Sequence, residues 1–479
     1  MEVIHLAVSS DHLSTDSACT LIERLRDALG PGRVLTEPSQ IESYGRAIPV
    51  PIAPAVLGRL MPGRPMAIVR PSSAADVATT MREASALGVP VVPRGGGTGV
   101  MGAAIPIADS LVLDLGAMNR VLNLDAADLI ARVEPGVILG DLAREAESRG
   151  LLFAHDPWSQ PIATVGGAVE TNGVGYLAAG YGVMGDQVRG LEVVLPTGEI
   201  VSWNSAAKEP GPALWRLFVG AEGTLGALTR VDVQLFPQPE TRRFGAYRFP
   251  TFADGFHAIT QIRAVGLRPT MIDYEESGGM PLESSANLYL AFDGPPSVTR
   301  AALAAANAIC RDHQAFSRGR RAADRFWHHR HDSAYQFVRR PWTTPPSSAG
   351  PGWVYANVAV PASRVLDYCA QVVEIGRRHG VDVVSFGIWG RPEFVSFTME
   401  GERGGSDRGP LGKAADEALR LARDLGGSIE YCHGVGLRFA HLLPEQGAAY
   451  SLLRRVKAML DPPCVMNPGK LGLCGPDGR

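Results

Sequence analysis

Glycine-rich segments are the parts of this sequence whose residue types and spacing most directly suggest chemistry. The first, RGGGTG at residues 94–99, directly follows a short apolar stretch. Successive glycine N–H groups can point into one concavity and bind a pyrophosphate, and Thr98 can add a hydroxyl donor. The segment has neither the Lys-Ser/Thr pair of a P-loop nor the Rossmann spacing that opens a helix. Alone, it is weak support for a phosphate site over an ordinary glycine turn.

Three further segments make the first one more informative. Glycines recur through residues 161–190, then in GAEGTLG at 220–226, and NPGK follows at 467–470. Glycine is used where backbone must approach a ligand closely or adopt a positive φ. We therefore expect the four segments to converge on one large anionic ligand.

The elements around the first segment follow a strand–helix–strand order. Apolar runs predict strands at 67–71 and 89–93, with a helix over 72–87 between them. This order is typical of the start of a nucleotide-binding lobe. Further strands are predicted at 111–115, 130–134, 191–195, 199–201 and 231–235, with a helix over 139–149. A domain boundary is expected at 237–240, and a late helix over 446–460.

Composition and charge exclude several classes of partner. The 479 residues are 45% hydrophobic and 20% charged, with a formal net charge of −3. This balance gives no electrostatic reason to expect nucleic acid. No apolar run reaches the roughly 18 residues of a membrane span. The six cysteines form no C-x-x-C pair, so we expect reduced thiols in a cytoplasmic protein and no metal site.

Taken in order, the four segments resemble the FAD-binding domain of the vanillyl-alcohol oxidase / p-cresol methylhydroxylase (PCMH) family. The resemblance covers roughly residues 60–235 and 460–472. It is strongest to the subgroup with the glycolate oxidase FAD subunit, D-lactate dehydrogenases and alkyl-dihydroxyacetonephosphate synthase. It implies an α+β fold: a two-lobed PCMH-type FAD-binding domain (1–238) and an α+β cap domain with an antiparallel sheet (239–440). A C-terminal segment (441–479) is expected to return to the FAD domain.

The resemblance also implies which residues hold FAD. The implied cofactor-binding residues are Arg94, Gly95, Gly96, Gly97, Thr98, Gly99, Pro157, Thr164, Val165, Gly166, Gly167, Asn172, Gly175, Tyr181, Gly182, Asp186, Glu222, Gly223, Thr224 and Asn467. Covalent attachment through histidine or cysteine is an option in the family. Because residues 93–106 contain neither, we expect non-covalent FAD, with His155 as the open exception.

Two cap segments match the subgroup and suggest catalytic residues. FWHHR at 326–330 resembles an element whose arginine lies near an anionic substrate, so Arg330 could hold a carboxylate or phosphate. The alternative is a surface ion pair. EYCHGVG at 430–436 resembles the subgroup's histidine signature, and we expect His433 to act as general base, with a pKa near neutrality. Tyr431 could exchange a proton beside it. The alternative for His433 is a structural histidine.

The sequence departs from the metal-dependent members of the subgroup. Ile388 and Val395 occupy the positions of a His-x6-His motif, and Cys432 occupies that of a glutamate. We therefore expect no metal site, and lactate or 2-hydroxyglutarate as substrate is in doubt. Trp389 and Phe394 suggest an aromatic pocket instead.

The resulting function is an FAD-dependent oxidoreductase that oxidises a small alcohol or hydroxy-acid-like molecule by hydride transfer to flavin N5. The electron acceptor is O2 or another oxidant, and a homodimer is possible. The alternative is an enzyme similar to alkyl-dihydroxyacetonephosphate synthase, with a covalent flavin–substrate intermediate. A catalytically inactive FAD-binding scaffold is a third interpretation, which the lost metal ligands allow.

Overall fold

The computed structural model describes residues 15–45, 63–205, 208, 210–276, 281–339, 352–402 and 409–474. The stretch at 343–352 is rich in Pro, Ser and Gly, a composition that predicts a loop, and all of it except Gly352 lies outside the described residues. Across the described residues, no helix combines the length and apolar character that crossing a bilayer requires.

The first lobe is a small sheet with helices packed on it. Its elements are α1 (Thr15–Leu29), β1 (Val34–Leu35), α2 (Pro38–Gly45), β2 (Ala67–Val69), α3 (Ala74–Leu87), β3 (Val91–Arg94) and β4 (Leu111–Asp114). The strand order is β1-β2-β4-β3, with β2, β4 and β3 parallel. Ser73 caps α3 by accepting a hydrogen bond from the Asp76 N–H, and Gly88 ends it in the left-handed conformation. The predicted strand–helix–strand order is confirmed.

The second lobe is an antiparallel sheet flanked by short helices. Its elements are β5 (Val121–Asp125), β6 (Ile130–Val133), α4 (Leu139–Glu147), β7 (Leu151–Leu152), α5 (Val165–Glu170), α6 (Ala178–Tyr181), α7 (Met184–Gln187), β8 (Val188–Val194), β9 (Ile200–Ser202), β10 (Ala227–Gln234) and β11 (Phe236–Pro237). The five-stranded order is β5-β6-β10-β8-β9, and β7 pairs with β11. The strands predicted at 191–195 and 199–201 form the β8–β9 hairpin.

An eight-stranded antiparallel sheet forms the next part of the chain. Its elements are β12 (Thr241–Phe249), α8 (Phe252–Ala264), β13 (Met271–Glu276), β14 (Ala286–Gly294), α9 (Pro296–Asp312), β15 (Phe316–Ser317), α10 (Gly319–His329), α11 (Asp332–Arg339), β16 (Gly352–Ala359), α12 (Val365–His379), β17 (Asp382–Trp389), β18 (Phe394–Gly401), α13 (Pro410–Asp424) and β19 (Ser428–Ile429). The strand order is β15-β12-β14-β13-β17-β18-β16-β19. Helices α8, α9, α12 and α13 share one apolar core with one face of this sheet. The antiparallel cap sheet expected from the resemblance is present.

After α14 (Ala448–Leu460), the chain returns to the first lobe. The N–H of Val91 donates to the carbonyl of Val465 (2.8 Å), and the N–H of Asn467 donates to the carbonyl of Val91 (2.9 Å). Residues 465–467 therefore extend the four-stranded sheet beside β3. Single 3₁₀ turns complete the described structure at Pro31–Arg33, Leu115–Ala117, Leu214–Phe218, Ala362–Arg364, Ala440–Gln446 and Lys470–Gly472.

The expectation of reduced thiols throughout is wrong for one pair. Cys464 and Cys474 form a disulfide, with Cα atoms 6.0 Å apart. The chain reverses between them, where the N–H of Gly469 donates to the carbonyl of Leu473 (2.6 Å). This reversal brings together two cysteines whose spacing, C-x9-C, carries no signal in the sequence. Of the remaining cysteines, Cys19 is exposed and the others are buried.

A buried lysine fixes the returning segment. The Lys457 Nζ donates to the carbonyls of Thr224 (2.6 Å) and Met466 (2.7 Å) and to the Asp461 carboxylate (2.5 Å). The second oxygen of Asp461 accepts the N–H of Val465 (3.0 Å). One ion pair thereby connects α14 to two lobes.

Lys457→Met is expected to lower the free energy of unfolding by about 3–5 kcal/mol, because it leaves the Asp461 carboxylate buried without its cation. Denaturant unfolding of the FAD-loaded protein measures the change. Lys413→Met, at an exposed position on α13, is the control and should change stability by no more than about 0.5 kcal/mol. Equal stability of the two variants would contradict the assigned role of Lys457.

Candidate active site

One cavity of about 600 Å³ lies where the glycine segments of the first 240 residues meet the cap sheet. Its volume falls within the range of about 300–1,000 Å³ that is typical of small-molecule and cofactor sites. The sequence-predicted residues that line it are Arg94, Gly95, Gly96, Gly97, Thr98, Gly99, Pro157, Thr164, Gly166, Gly167, Gly175, Glu222, Gly223 and His433.

Residues 94–99, here called the first glycine loop, pack against the start of α5. The Thr164 Oγ1 accepts the N–H of Gly96 (3.4 Å) and that of Gly167 (3.3 Å). A Cβ added to Gly96 would lie 2.5 Å from the Ile162 carbonyl oxygen, so only glycine fits there. Within the described part of the chain, the N–H groups of residues 97–99 donate to no other backbone group. They are therefore available to an anionic ligand in the cavity.

Glu222 connects the third glycine segment to the cap and to the returning chain. Its carboxylate accepts the N–H groups of Val435 (2.5 Å) and Gly436 (2.8 Å), while its carbonyl accepts the side-chain amide of Asn467 (2.6 Å). Burial raises the pKa of Glu222 to about 7, although the two backbone donors oppose that shift. Both Glu222 and Asn467 have positive φ angles (52° and 43°), which non-glycine residues rarely adopt.

Two lining residues, Glu170 and His155, bring ionisable groups to the cofactor side of the cavity. Burial, reinforced by the charge of Glu222, raises the pKa of Glu170 to about 8, although the Gly223 N–H bonds its carboxylate at 2.7 Å. Glu170 was not predicted from the sequence. Burial lowers the pKa of His155 to about 4, so its imidazole is neutral. Its Nδ1 atom is buried and has no hydrogen-bond partner.

Several predicted cofactor residues do not line the cavity. These are Val165, Asn172, Tyr181, Gly182, Asp186, Thr224 and Asn467. Asn172 accepts the N–H of Gly185 (2.8 Å), and Tyr181 donates its hydroxyl to Asp293 (2.8 Å). Asp186 is half exposed and forms an ion pair with Arg391 (3.7 Å). In this structure these three side chains fix loops and the contact with the cap sheet.

Besides residues of α11, the cap side of the cavity is lined by Glu275 on β13, Tyr355 on β16, Trp389 on β17, and Cys432 and His433 after β19; we call these five residues the cap wall. Side chains alternate between the faces of a strand, so Glu275, Tyr355 and Trp389 lie on the face opposite the helices. Their strands are aligned through the β13–β17–β18–β16 ladder. The sheet register thus brings distant segments to one surface.

His433 is partly buried within a network of polar side chains. Its Nδ1 lies 3.1 Å from the Asn357 side-chain nitrogen and 3.3 Å from Glu430 Oε1. Its Nε2 lies 3.7 Å from the Cys432 sulfur. Burial lowers the pKa of His433, but the Cys432 sulfur and the Glu430 carboxylate outweigh burial and raise it to about 10. This value differs from the near-neutral pKa expected from sequence, because the carboxylate and the sulfur favour the charged imidazole.

The other two predicted catalytic residues do not line the cavity. Tyr431 stacks on Phe394 with ring centroids 4.2 Å apart, and its hydroxyl is buried without a partner. Arg330 pairs with Asp156 (2.8 Å), and its guanidinium lies 3.5 Å from the centroid of the Trp327 ring. Arg330 therefore forms the ion pair that was its alternative interpretation, although this pair is buried rather than on the surface.

Ile388 and Val395 pair directly across β17 and β18, and both are fully buried. They belong to the apolar core shared with the helices, so neither side chain reaches the cavity. The neighbouring Trp389 faces the cavity instead. Their apolar identity is explained by packing on the helix-covered face of the sheet.

Glu275 and Tyr355 were missed by the sequence analysis because neither lies near a glycine segment or a signature motif. The one available signal was strand alternation. In MIDYEE at 271–276, the acidic Asp273 and Glu275 alternate with the buried Ile272 and Tyr274. Only the sheet order shows which of the two faces is covered by helices.

Backbone donors, glycines that admit no side chain and a cavity of this size define a site for a phosphate-containing cofactor held by loops. Comparison with known proteins identifies the family. Residues 65–204 match the FAD binding domain, and residues 238–471 match the C-terminal domain of FAD linked oxidases. The glycolate oxidase subunit GlcD of Bacillus subtilis (strain 168) is 30% identical over 426 residues, covering 85% of this chain and 89% of that protein. The chain therefore belongs to the FAD-linked oxidases of the glycolate oxidase and D-lactate dehydrogenase type, and its cofactor is FAD.

Further relatives support the same class and fold. D-lactate dehydrogenase of Archaeoglobus fulgidus is 28% identical over 422 residues, covering 84% of this chain and 90% of that protein. Among solved structures, 4-ethylphenol oxidase from Gulosibacter chungangensis has a TM-score of 0.74 at 20% identity, covering 98% of this chain and 99% of that one. An alkyldihydroxyacetonephosphate synthase structure has a TM-score of 0.72 at 18% identity, covering 98% and 87%. At these identities the structures show a shared fold. The PCMH-type fold expected from sequence is confirmed.

Gly96→Ala is expected to reduce FAD affinity by at least about tenfold. The added Cβ would lie 2.5 Å from a backbone carbonyl, so the first glycine loop or its neighbour must move. Flavin absorbance of the purified protein, followed by titration of the apoprotein with FAD, measures the effect. Gly32→Ala, an exposed position with no atom within 4 Å, is the control. Full flavin content in the Gly96 variant would contradict the assignment of this loop.

Proposed function

We propose that this protein oxidises a small alcohol or hydroxy-acid-like substrate by hydride transfer to flavin N5, without a metal ion. FAD supplies the hydride acceptor when bound, and the chain supplies binding, orientation and proton transfer. The observation that carries the proposal is the position of His433 on the cap wall, opposite the glycine segments that bind the cofactor.

His433 is the proposed general base. As hydride leaves the carbinol carbon, the substrate hydroxyl must lose a proton, and an imidazole within hydrogen-bond reach can accept it. Asn357 and Glu430 lie beside Nδ1, so these two residues hold the ring at that nitrogen. Nε2 is then the nitrogen that accepts the substrate proton in the proposal. Glu430 is fixed in turn, because it also accepts the backbone N–H groups of Asn357 (3.2 Å) and His433 (3.0 Å).

The metal-free part of the proposal rests on the residues that occupy the expected ligand positions. Ile388 and Val395 carry no donor atom and point into the apolar core. Cys432 is the remaining candidate ligand of the three, and one thiol is far from the three protein ligands of a typical catalytic zinc site. Proton removal by the chain's own imidazole is consistent with this set of side chains.

His433→Ala is expected to retain FAD but to slow anaerobic flavin reduction by at least about a hundredfold, because the hydroxyl proton loses its acceptor. Stopped-flow absorbance with a panel of alcohols and hydroxy acids measures the rate. His441→Ala removes an exposed imidazole that pairs with Asp416 and serves as the control. Reduction by the His433 variant at the parent rate would exclude this base.

The rate of flavin reduction is expected to rise with pH. A general base must be unprotonated, and the pKa of His433 is raised to about 10, so the rate should fall as pH decreases below that value. Glu430→Gln removes a carboxylate that favours the charged imidazole. The part of the pH–rate profile in which the reduction rate rises, its rising limb, should therefore move to lower pH. Reduction rates measured over a pH series for both proteins test this. A limb that stays in place or moves to higher pH would show that Glu430 does not act on His433.

A further inference from the structure

We propose that the cap wall selects a substrate carrying a protonated amino group, with Glu275 as its counter-ion. This inference rests on the proposed function and narrows it: of the small alcohols that the site could oxidise, amino alcohols fit best and carboxylates fit worst. The argument depends on the charges, contacts and ring surfaces that face the cavity.

Three carboxyl groups lie in the lining of the cavity. Among the described residues that line it, Glu170, Glu222 and Glu275 carry carboxyl groups, and Arg94 carries the single guanidinium. Arg94 belongs to the first glycine loop, where it donates to the carbonyl of Tyr44 (3.2 Å) and lies 5.1 Å from the centroid of that ring. The contacts with Tyr44 therefore hold the Arg94 guanidinium on the cofactor side of the cavity.

Glu275 is the acidic lining residue without an internal partner. Glu222 and Glu170 accept backbone N–H groups, as described above. Among the described residues, the Glu275 side chain forms neither a hydrogen bond nor an ion pair, although its backbone is paired with β14 and β17. Its partner across the β13–β17 ladder is Gly387, where a Cβ would come within 2.6 Å of the Ser396 hydroxyl. The absence of a side chain at Gly387 leaves the carboxyl accessible from the open cavity.

The protein around Glu275 favours a bound cation. Its side chain is exposed to the cavity but enclosed by protein atoms, and this enclosure raises the pKa of Glu275. Two residues along the same strand face, Asp273 is buried, and burial together with the charge of Glu275 raises its pKa to about 8. Two like-charged groups in one enclosed wall destabilise each other, and a cation placed between them and the cavity removes that cost.

Aromatic rings supply a second feature typical of ammonium recognition. Tyr176 and Trp389 stack with centroids 6.2 Å apart and an interplanar angle of 22°, and both line the cavity. Tyr355 lies on the same wall, 6.1 Å from the His433 ring. The faces of Trp and Tyr attract ammonium groups, more strongly where water is excluded. A carboxylate beside aromatic faces is thus complementary to a small protonated amine.

No described guanidinium is placed to hold a substrate carboxylate at this wall. Arg330 is paired with Asp156 outside the cavity lining. Arg438 is buried and does not line the cavity, and one of its nitrogens lies 3.9 Å from the Met101 sulfur. His433 is the basic residue of the cap wall, and the Glu430 carboxylate 3.3 Å from its Nδ1 opposes its charge. An anionic substrate would therefore meet Glu275 without an opposing free cation.

Three alcohols with the same carbon skeleton test the inference on the FAD-loaded protein. These are 1-amino-2-propanol, 1,2-propanediol and lactate. They share a three-carbon secondary alcohol and differ in the terminal group, which is a cationic ammonium, a neutral hydroxyl or an anionic carboxylate. Dissociation constants come from changes in flavin absorbance under anaerobic conditions, and the same traces report any flavin reduction. We expect the amine to bind at least about tenfold more tightly than lactate.

Variants at Glu275 supply the second part of the test. Glu275→Gln should weaken binding of the amine by at least about tenfold and leave 1,2-propanediol nearly unchanged. Glu275→Asp, which keeps the charge, should retain most of the preference and serves if the first variant folds poorly. Glu199→Gln, an exposed position in the β8–β9 turn, is the control.

The outcomes separate this inference from the proposed function. Tighter binding of lactate, an amine affinity that does not depend on Glu275, or no binding of the amine would each overturn the inference. Rapid flavin reduction by lactate would also overturn the inference, but it would support the proposed oxidation. Amine binding that depends on Glu275 but never reduces the flavin would support the inference and count against oxidation of this alcohol.

Discussion

The site depends on one buried carboxylate. Glu222 accepts two backbone N–H groups from the segment that follows His433, and its own carbonyl accepts the Asn467 amide. Three stretches of chain that are far apart in sequence are therefore held at fixed distances by hydrogen bonds to one residue. Charge-assisted hydrogen bonds to backbone donors are among the stronger ones available to a side chain. Without these hydrogen bonds, Glu222 would no longer fix the position of the segment after His433 relative to the third glycine segment.

The sequence was most informative where backbone chemistry decides the structure. RGGGTG together with the later glycine segments indicated the first glycine loop, and the structure gives the reason for one of its glycines, because an added Cβ at Gly96 would lie 2.5 Å from the Ile162 carbonyl oxygen. It was less informative for side chains beside those glycines. Asn172 and Asp186 fall within the family motif, yet they fix Gly185 and Arg391 rather than face the cavity. A motif gives the position of a residue along the chain, but not the direction of its side chain.

The cap domain shows the same limit more strongly. Tyr431 is two residues from His433, yet its ring packs on Phe394, while Tyr355 reaches the cavity from another strand. The pairing of eight strands in the order β15-β12-β14-β13-β17-β18-β16-β19 decides which residues become neighbours. Long-range strand order leaves little trace in local composition. Ile388 and Val395 lie on the face of the sheet that packs in the apolar core, whereas Trp389 lies on the face that lines the cavity.

The return of residues 465–467 to β3 has a consequence for how the enzyme is made. On the ribosome, the first lobe emerges long before the stretch that pairs with its outer strand, and Asn467 arrives later still than the cap. Until residues 465–467 are made, the edge of the nascent sheet at β3 is therefore unpaired. Such an edge can pair with strands of other chains. Completion of the sheet beside the first glycine loop is consequently a late event in the folding of this chain.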